Sequence, residues 1–492
     1  MRLCEVLAGL EILENTAPAE LEITQICCDS RQAGPGSLFV AIPGFETDGH
    51  RFIPMAAEKG AAAVLCEQAP AADVPYVRVA SSRQALALAS ANFYDHPADK
   101  MQMIGVTGTN GKTTSTYLLK TVLEKTLGAK VGLVGTIQNM IGDEVLETER
   151  TTPESCELQA LFARMAAAGC THVIMEVSSH ALALDRVAGI QFETAVFTNL
   201  TQDHLDFHKT MEAYLEAKAI LFTRSRHSVL NLDDAASAPR LLEAAAGDVL
   251  TCGVHTAADL RAEDVELGSG HVAFTAVYGG QHAAVRLGIP GGFTVHNALG
   301  VLGAALTLGI SLPDAAAALA QAHGVKGRVE VVPTPGMPYT VLIDYAHTPD
   351  GLENVLRSVQ GFCRGRVIAV FGCGGDRDPI KRPIMGRIGA QHSDFAVITS
   401  DNPRTEDPYA ILRDIVPGVM EEHTPFAVIE NRREAIRFAM DLAGQDDIIV
   451  LAGKGHETYQ ILGKVKTHLD EREEVAAHLQ EISARQAPGG TI

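Results

Sequence analysis

The segment Val106-Thr107-Gly108-Thr109-Asn110-Gly111-Lys112-Thr113-Thr114 follows the apolar run MQMI and leads into STYLLKTVLEK, a helical pattern. Strand, glycine-bearing turn and helix start together make a phosphate cradle. The glycines let the backbone approach an anion, Lys112 can neutralise β- and γ-phosphates, and the Thr113 hydroxyl can reach magnesium. The spacing departs from the general phosphate loop, because Val106 stands where its first glycine is expected. A glycine-rich turn with no ligand is the alternative; the lysine and threonine side by side favour a nucleotide. Glu176 ends the run HVIMEV, where its carboxylate can hold magnesium directly or through water. Its other reading is a buried strand-end carboxylate paired with a base. In TNLTQDHLDFHKTMEAYLEAKAILF, His204 and His208 have the i, i+4 spacing of a helical zinc pair, but the glutamate of the zinc-protease signature is absent. A nearby ATP–magnesium site offers His204 other work. Lys218 sits on the helix that follows, where a solvated lysine is the plain reading.

These residues need elements to present them. Short β-branched runs alternate with alanine-rich helical patterns, which predicts α/β domains with largely parallel sheets. In such sheets ligands bind beyond the carboxyl ends of strands. The runs MIGV, HVIMEV and TAVFTN each enter a polar loop, TGTNGKTT, SSHAL and LTQDHLD; later RVIAVF, FAVITS and DIIVLA enter GCGGDRD, DNPR and GKGHET. A ligand cleft between two sheets is the expected arrangement. Boundaries at YDHPADK (94 to 100) and at HGVKGRVEVVPTPGMP (323 to 338) divide the chain into residues 1–97, 98–328 and 329–492, an N-terminal, a central P-loop-type and a C-terminal Rossmann-like α/β domain.

At 492 residues the chain exceeds one hydrophobic core. Its net charge of −20 argues against nucleic acid or an anionic membrane as partner. MRLCEVLAGLEILENT carries acidic residues within its apolar stretch and is expected to be neither secretory signal nor anchor. NALGVLGAALTLGISL is short and glycine-broken for a membrane span and is expected to be a buried helix. A cytoplasmic protein follows, and its nine scattered cysteines are expected to be reduced.

TGTNGKTT, EVSSHAL, TNLTQDHLDFH, HNAL (296 to 299), GRVE (327 to 330), DYAHTPD (344 to 350) and DNPR, in this order, resemble the Mur ligase family of peptidoglycan synthesis, over nearly the whole chain from about Ser30 to Glu457. Within the family the closest likeness is to the branch that adds the third residue of the stem peptide. The resemblance implies a monomeric three-domain ligase. Its first domain would hold the UDP-MurNAc dipeptide, its second ATP and its third the incoming amino acid. ATP would phosphorylate a substrate carboxylate, and an amine would attack the acyl phosphate.

By resemblance, Gly108, Thr109, Asn110, Gly111, Lys112, Thr113 and Thr114 hold the phosphates, and Asn297, Arg328 and Asp344 lie at the nucleotide. Lys112, Glu176, His204 and Lys218 are the implied catalytic set, with Thr113, Glu176, His204 and a carbamylated Lys218 about Mg2+. Ser30, Phe45, Glu46, Thr47, Thr151, Thr152, Ser178 and Arg186 match contacts to UDP-MurNAc-L-Ala-D-Glu. Leu184 stands where many relatives have glutamine. Arg377, Asp401, Asn402, Pro403, Arg404, Gly453 and Glu457 match an amino-acid site. Arg404 can grip the second carboxylate that distinguishes meso-diaminopimelate from lysine, and Glu457 suits an ammonium. Relatives adding lysine, and folylpolyglutamate synthases, are the near alternatives; an ATP-driven switch without ligation is the distant one.

Overall fold

The strand expected ahead of the phosphate loop forms from Gln102–Thr107, and the helix behind the loop runs Lys112–Leu127. These belong to a computed structural model that describes residues 1–44, 47–148, 150–322 and 324–486. The chain divides into two compact units, one made of residues 1–252 with 303–310, the other of 253–302 with 311–492.

Among the described residues, the first unit holds two sheets. The smaller has the order Ile12–Asn15, Tyr76–Val79, Ala63–Cys66, Ser37–Val40 and Gln25–Cys27, parallel except for its first pair. In the larger, Ser225–Asn231, Phe192–Phe197, Gln102–Thr107, His172–Glu176 and Val131–Val134 are successive parallel neighbours. Their apolar runs are buried on both faces, as parallel strands covered by helices must be. Register then sets the site. Glu176 pairs with Val106 and Phe197 with Thr107, so three loops leave the sheet side by side.

The second unit carries an antiparallel meander, Leu260–Leu267, Val272–Tyr278 and Gln281–Leu287. Its main sheet has the order Glu330–Val332, Thr340–Asp344, Ile448–Ala452, Val367–Phe371, Phe395–Ile398 and Phe426–Val428, parallel after the first edge. Arg432 and Glu471 are wholly buried beside it. The guanidinium donates 2.8 Å bonds to Glu471 Oε1 and to the Ala452 carbonyl at the end of a central strand. Such a pair adds little net stability against apolar packing, but losing one partner would strand a buried charge. The run expected to be a buried helix lies largely in Gly292–Thr307, and no described helix is long and apolar enough to cross a membrane. All nine cysteines are described and free.

Candidate active site

The phosphate loop is braced from the neighbouring strand's exit. Thr109 N donates to the Asn199 carbonyl at 2.8 Å, Asn110 N to Asn199 Oδ1 at 3.0 Å, and Thr198 Oγ1 to the Asn110 carbonyl at 2.6 Å. Gly108 has φ +151°, and a Cβ there would stand 1.9 Å from Thr198 Oγ1, so only glycine fits. Gly111, at φ +83°, opens the helix, whose first-turn amides form an anion site with the positive end of the dipole. Lys112 Nζ reaches the carbonyls of Gly108 at 2.9 Å and Thr109 at 2.8 Å, which holds its charge over the loop.

Glu176 is clamped by one residue. Thr136 N donates to Oε1 at 3.0 Å and Thr136 Oγ1 to Oε2 at 2.9 Å, so each carboxylate oxygen keeps lone-pair capacity for a cation. Thr136 Oγ1 also lies 3.0 Å from Thr151 Oγ1, which couples Thr151 to the acidic centre. Thr152 Oγ1 donates to the Glu176 carbonyl at 2.8 Å and accepts from Ser178 N at 3.1 Å. Arg186 donates to the Thr152 carbonyl at 3.1 Å and pairs with Glu154 at 2.7 Å. Thr151, Thr152, Ser178 and Arg186 therefore form one network with Glu176.

Lys218 is not solvated. On the helix Met211–Phe222, Tyr214, Ala217, Lys218 and Leu221 share the inward face, and Lys218 is 1% exposed. Its Nζ donates to the Gly108 carbonyl at 2.9 Å. Burial, then the nearby Lys112 charge, push its pKa well below that of an ordinary lysine. Carbamate formation requires a lysine whose pKa is lowered, and the direction of this shift fits that modification.

His204 takes a left-handed backbone, φ +53°, at the start of the single turn Leu205–His208, and this breaks the helical pairing that a zinc reading needs. His208 Nε2 lies 2.9 Å from Ser179 Oγ, and burial drives its pKa down to about 4. Among the described residues no group of three His, Cys, Asp or Glu could hold a metal on its own. Burial also lowers the His204 pKa, with the charges of Lys112 and Lys218 acting the same way. Asp203 and Asp206 oppose that shift, and burial, the largest cause, prevails, which favours the neutral imidazole.

In the second unit the exits of four parallel strands surround a cavity of about 130 Å3. Arg377, Asp401, Asn402, Arg404, Gly453 and Glu457 line it, so both charge signs face one space. Arg404 has φ +52°, and its Nη1 donates to the Gly375 carbonyl at 2.7 Å, which aims the guanidinium. Gly453 has φ +113°, and a Cβ there would meet Asp401 Oδ2 at 2.6 Å.

Residues 22–94 match the Mur ligase family catalytic domain, 106–305 the Mur ligase middle domain, and 327–455 the Mur ligase glutamate ligase domain. The UDP-N-acetylmuramoyl-L-alanyl-D-glutamate--2,6-diaminopimelate ligase 1 of Clostridium acetobutylicum is 48% identical, over 98% of this chain and 100% of that one. The corresponding ligase of Clostridium tetani is 48% identical over the same shares. A solved structure of a UDP-N-acetylmuramoyl-L-alanyl-D-glutamate--2,6-diaminopimelate ligase superposes with a TM-score of 0.73 at 32% identity, covering 98% of this chain and 99% of that one.

The chain belongs to the Mur ligase family. It is an α/β protein with the family's three domains, and an ATP-dependent ligase that forms amide bonds.

Other anticipated residues of this Mur ligase stand as follows. Asp344 accepts from Val329 N at 2.8 Å and Ala346 N at 2.9 Å, bracing two loops, and burial raises its pKa against the opposing Arg328 charge. Val329, a β-branched residue at φ +45°, is held in a strained conformation by the first of those bonds. Among the described residues Asn297 Nδ2 and Arg328 Nε are buried with no hydrogen-bond acceptor, as groups awaiting one would be. Ser30 Oγ contacts Met55 Sδ at 3.4 Å, and Thr47 gives its carbonyl to Gly44 N at 3.0 Å. Phe45 and Glu46 lie outside the described residues. Pro403 does not line the cavity; its carbonyl accepts from Glu406 N. Leu184 ends the helix Ser179–Ala183; its N donates to the His180 carbonyl at 2.8 Å and its carbonyl accepts from Arg83 at 3.5 Å. Thr136, Thr198 and Asn199 join the site without a signal of their own in the sequence. Thr198 and Asn199 open TNLTQDH, whose most conspicuous side chain is His204.

Proposed function

We propose that this ligase joins meso-diaminopimelate to the D-glutamate γ-carboxylate of UDP-MurNAc-L-Ala-D-Glu in the cytoplasm, with ATP as co-substrate, acting as a monomer. The observation that carries the reading is the cavity itself. An arginine positioned by Gly375 and a carboxylate, Glu457, face one space, matching the carboxylate and ammonium at the far end of diaminopimelate. Lysine has no such carboxylate, and its ammonium would face Arg404.

Residues 1–97 are assigned to the sugar nucleotide, 98–328 to ATP and 329–492 to the amino acid. In the central region the loop amides and Lys112 bind the phosphates. Thr151, Thr152, Ser178 and Arg186 orient the dipeptide, with Arg186 available to its carboxylate. Thr113, Glu176 and His204, with Lys218 as its carbamate, would hold Mg2+. When bound, the cation supplies charge neutralisation between phosphate and carboxylate oxygens. Asn297, Arg328 and Asp344 are proposed contacts of the nucleotide. Phosphoryl transfer demands chiefly position and electrostatic stabilisation, which this arrangement provides without an acid–base group on the carboxylate. Phosphate then replaces oxide as leaving group when the amine attacks.

The test is phosphate release with ATP, Mg2+ and the UDP-muramoyl dipeptide, in the presence of meso-diaminopimelate, L-lysine or no amine, with the product mass recorded. Release that depends on diaminopimelate, with a tripeptide mass, is expected. Preference for lysine would overturn the specificity, and release indifferent to amine would overturn ligation.

A further inference from the structure

Lys454, in the loop after Ile448–Ala452, is wholly buried and does not line the cavity. Buried lysines require partners. Its Nζ donates to Asn402 Oδ1 and to Glu457 Oε2, each at 2.8 Å, and lies 3.9 Å from Asp401 Oδ1. Asn402 Oδ1 also accepts from Ile461 N at 2.9 Å. Two donors on one oxygen fix which way the amide points. Asn402 Nδ2 therefore faces Glu457 Oε2, at 3.1 Å. One carboxylate oxygen is thereby held by two donors from behind, while Glu457 itself lines the cavity.

We propose that Lys454 is a positioning residue for amine recognition. It clamps Glu457 and Asn402 from beneath the cavity, so that the carboxylate meets a substrate ammonium already in place. A free glutamate side chain would lose rotamer freedom on each binding event; here folding has already fixed it. The Lys454 charge also offsets Asp401 and Glu457, two carboxylates that would otherwise share the site. Arg377 and Arg404 then remain available to substrate carboxylates rather than to the protein's own.

The inference rests on the amine-site reading above, and the two fail differently. If the unmutated enzyme shows no amine dependence, the site reading falls. The test of Lys454 uses the full-length ligase and its Lys454→Met variant, with initial rates measured against meso-diaminopimelate and against ATP. The KM for diaminopimelate is expected to rise about tenfold or more, the scale of one lost charged hydrogen bond, with that for ATP within about twofold. Preference for diaminopimelate over 2-aminopimelate, which lacks one ammonium, should shrink by a similar factor. Combining Lys454→Met with Glu457→Gln should weaken binding no more than Glu457→Gln alone. An unchanged KM in a folded variant, equal weakening toward both amines, or fully additive effects would overturn the proposal. Lys454→Gln keeps a donor without the charge and carries the same readouts if the methionine variant does not fold. Failure of both to fold would make the lysine architectural and overturn the proposal as well.

Discussion

Replacing Arg404 by alanine isolates the carboxylate clamp. The arginine already occupies a left-handed backbone, φ +52°, and alanine inherits the same strain, so the substitution changes little in the chain. The fold loses the bond from Nη1 to the Gly375 carbonyl, at 2.7 Å, a cost of about 1 kcal/mol. The substrate loses more. A guanidinium fork on a carboxylate makes two charge-assisted bonds, together about 3–4 kcal/mol, which lowers kcat/KM for meso-diaminopimelate roughly 200- to 1,000-fold. Steady-state phosphate release at saturating dipeptide reads this directly. The KM for ATP should stay within about twofold, because the side chain is assigned no nucleotide contact. Arg404→Lys should recover only a small part of the loss, since a point charge cannot form the fork. The reasoning is refuted if the alanine variant weakens ATP and diaminopimelate equally, or if its loss toward diaminopimelate is under about fivefold.

Lys112→Ala should abolish phosphate release while leaving the thermal transition in place; persistent turnover would remove the phosphate-loop assignment. Enzyme equilibrated with 13C-bicarbonate should show a carbamate carbon resonance that is absent from Lys218→Met, and identical spectra would sink the modification. Gly453→Ala should raise the KM for diaminopimelate more than that for ATP, because its Cβ would stand 2.6 Å from Asp401 Oδ2. The acid limb of stability has a definite sign. Burial lowers the pKa of His172 and His392 below the ordinary 6.5, so their contribution is full above that value and is lost as pH falls toward the folded pKa. Melting temperature should therefore fall from pH 7 to pH 5, with a shallower slope in His172→Gln; a steeper slope would reverse the assignment.

How much of this was legible depended on whether a motif was local. The phosphate loop was, because strand, glycines and lysine lie within nine consecutive positions, and their spacing dictates what the backbone can do. The strand exits were also legible, since apolar runs ending in polar loops mark the carboxyl edge of a parallel sheet. The resemblance then located the arginine and glutamate of the cavity. Thr136 was not legible: it is one threonine in an ordinary turn, and only the register of Val134 against Met175 brings it to Glu176. For Lys218 the residues alone suggest only a solvated lysine, and the resemblance is what singles it out. Its burial follows from a helical face shared with Tyr214 and Leu221, and the cost of burying the amine becomes visible only with the Gly108 carbonyl in place. Lys454 lies between two residues of a recognised motif, yet its direction, away from the cavity, is a tertiary fact.

Both ligand-binding edges are built by the same device. A loop leaving one parallel strand is held by groups from another strand's loop: Thr198 and Asn199 support Asn110 and Thr109 from the adjacent strand, and Lys454 supports Asn402 from two strands away. Loops at sheet edges lack a ladder to fix them, and a site that must place reacting atoms near contact distance cannot leave them loose. Cross-bracing supplies rigidity without filling the space the ligand needs, because the braces lie behind the loops. Removing a brace should therefore damage binding geometry before it damages folding. Thr198→Val sets that argument its hardest test. It keeps the side-chain volume while deleting the 2.6 Å bond to the Asn110 carbonyl, so ATP should bind more weakly, by about fivefold to tenfold, with little change in melting temperature. A variant that melts early yet binds ATP normally would show that the brace serves the fold instead of the loop.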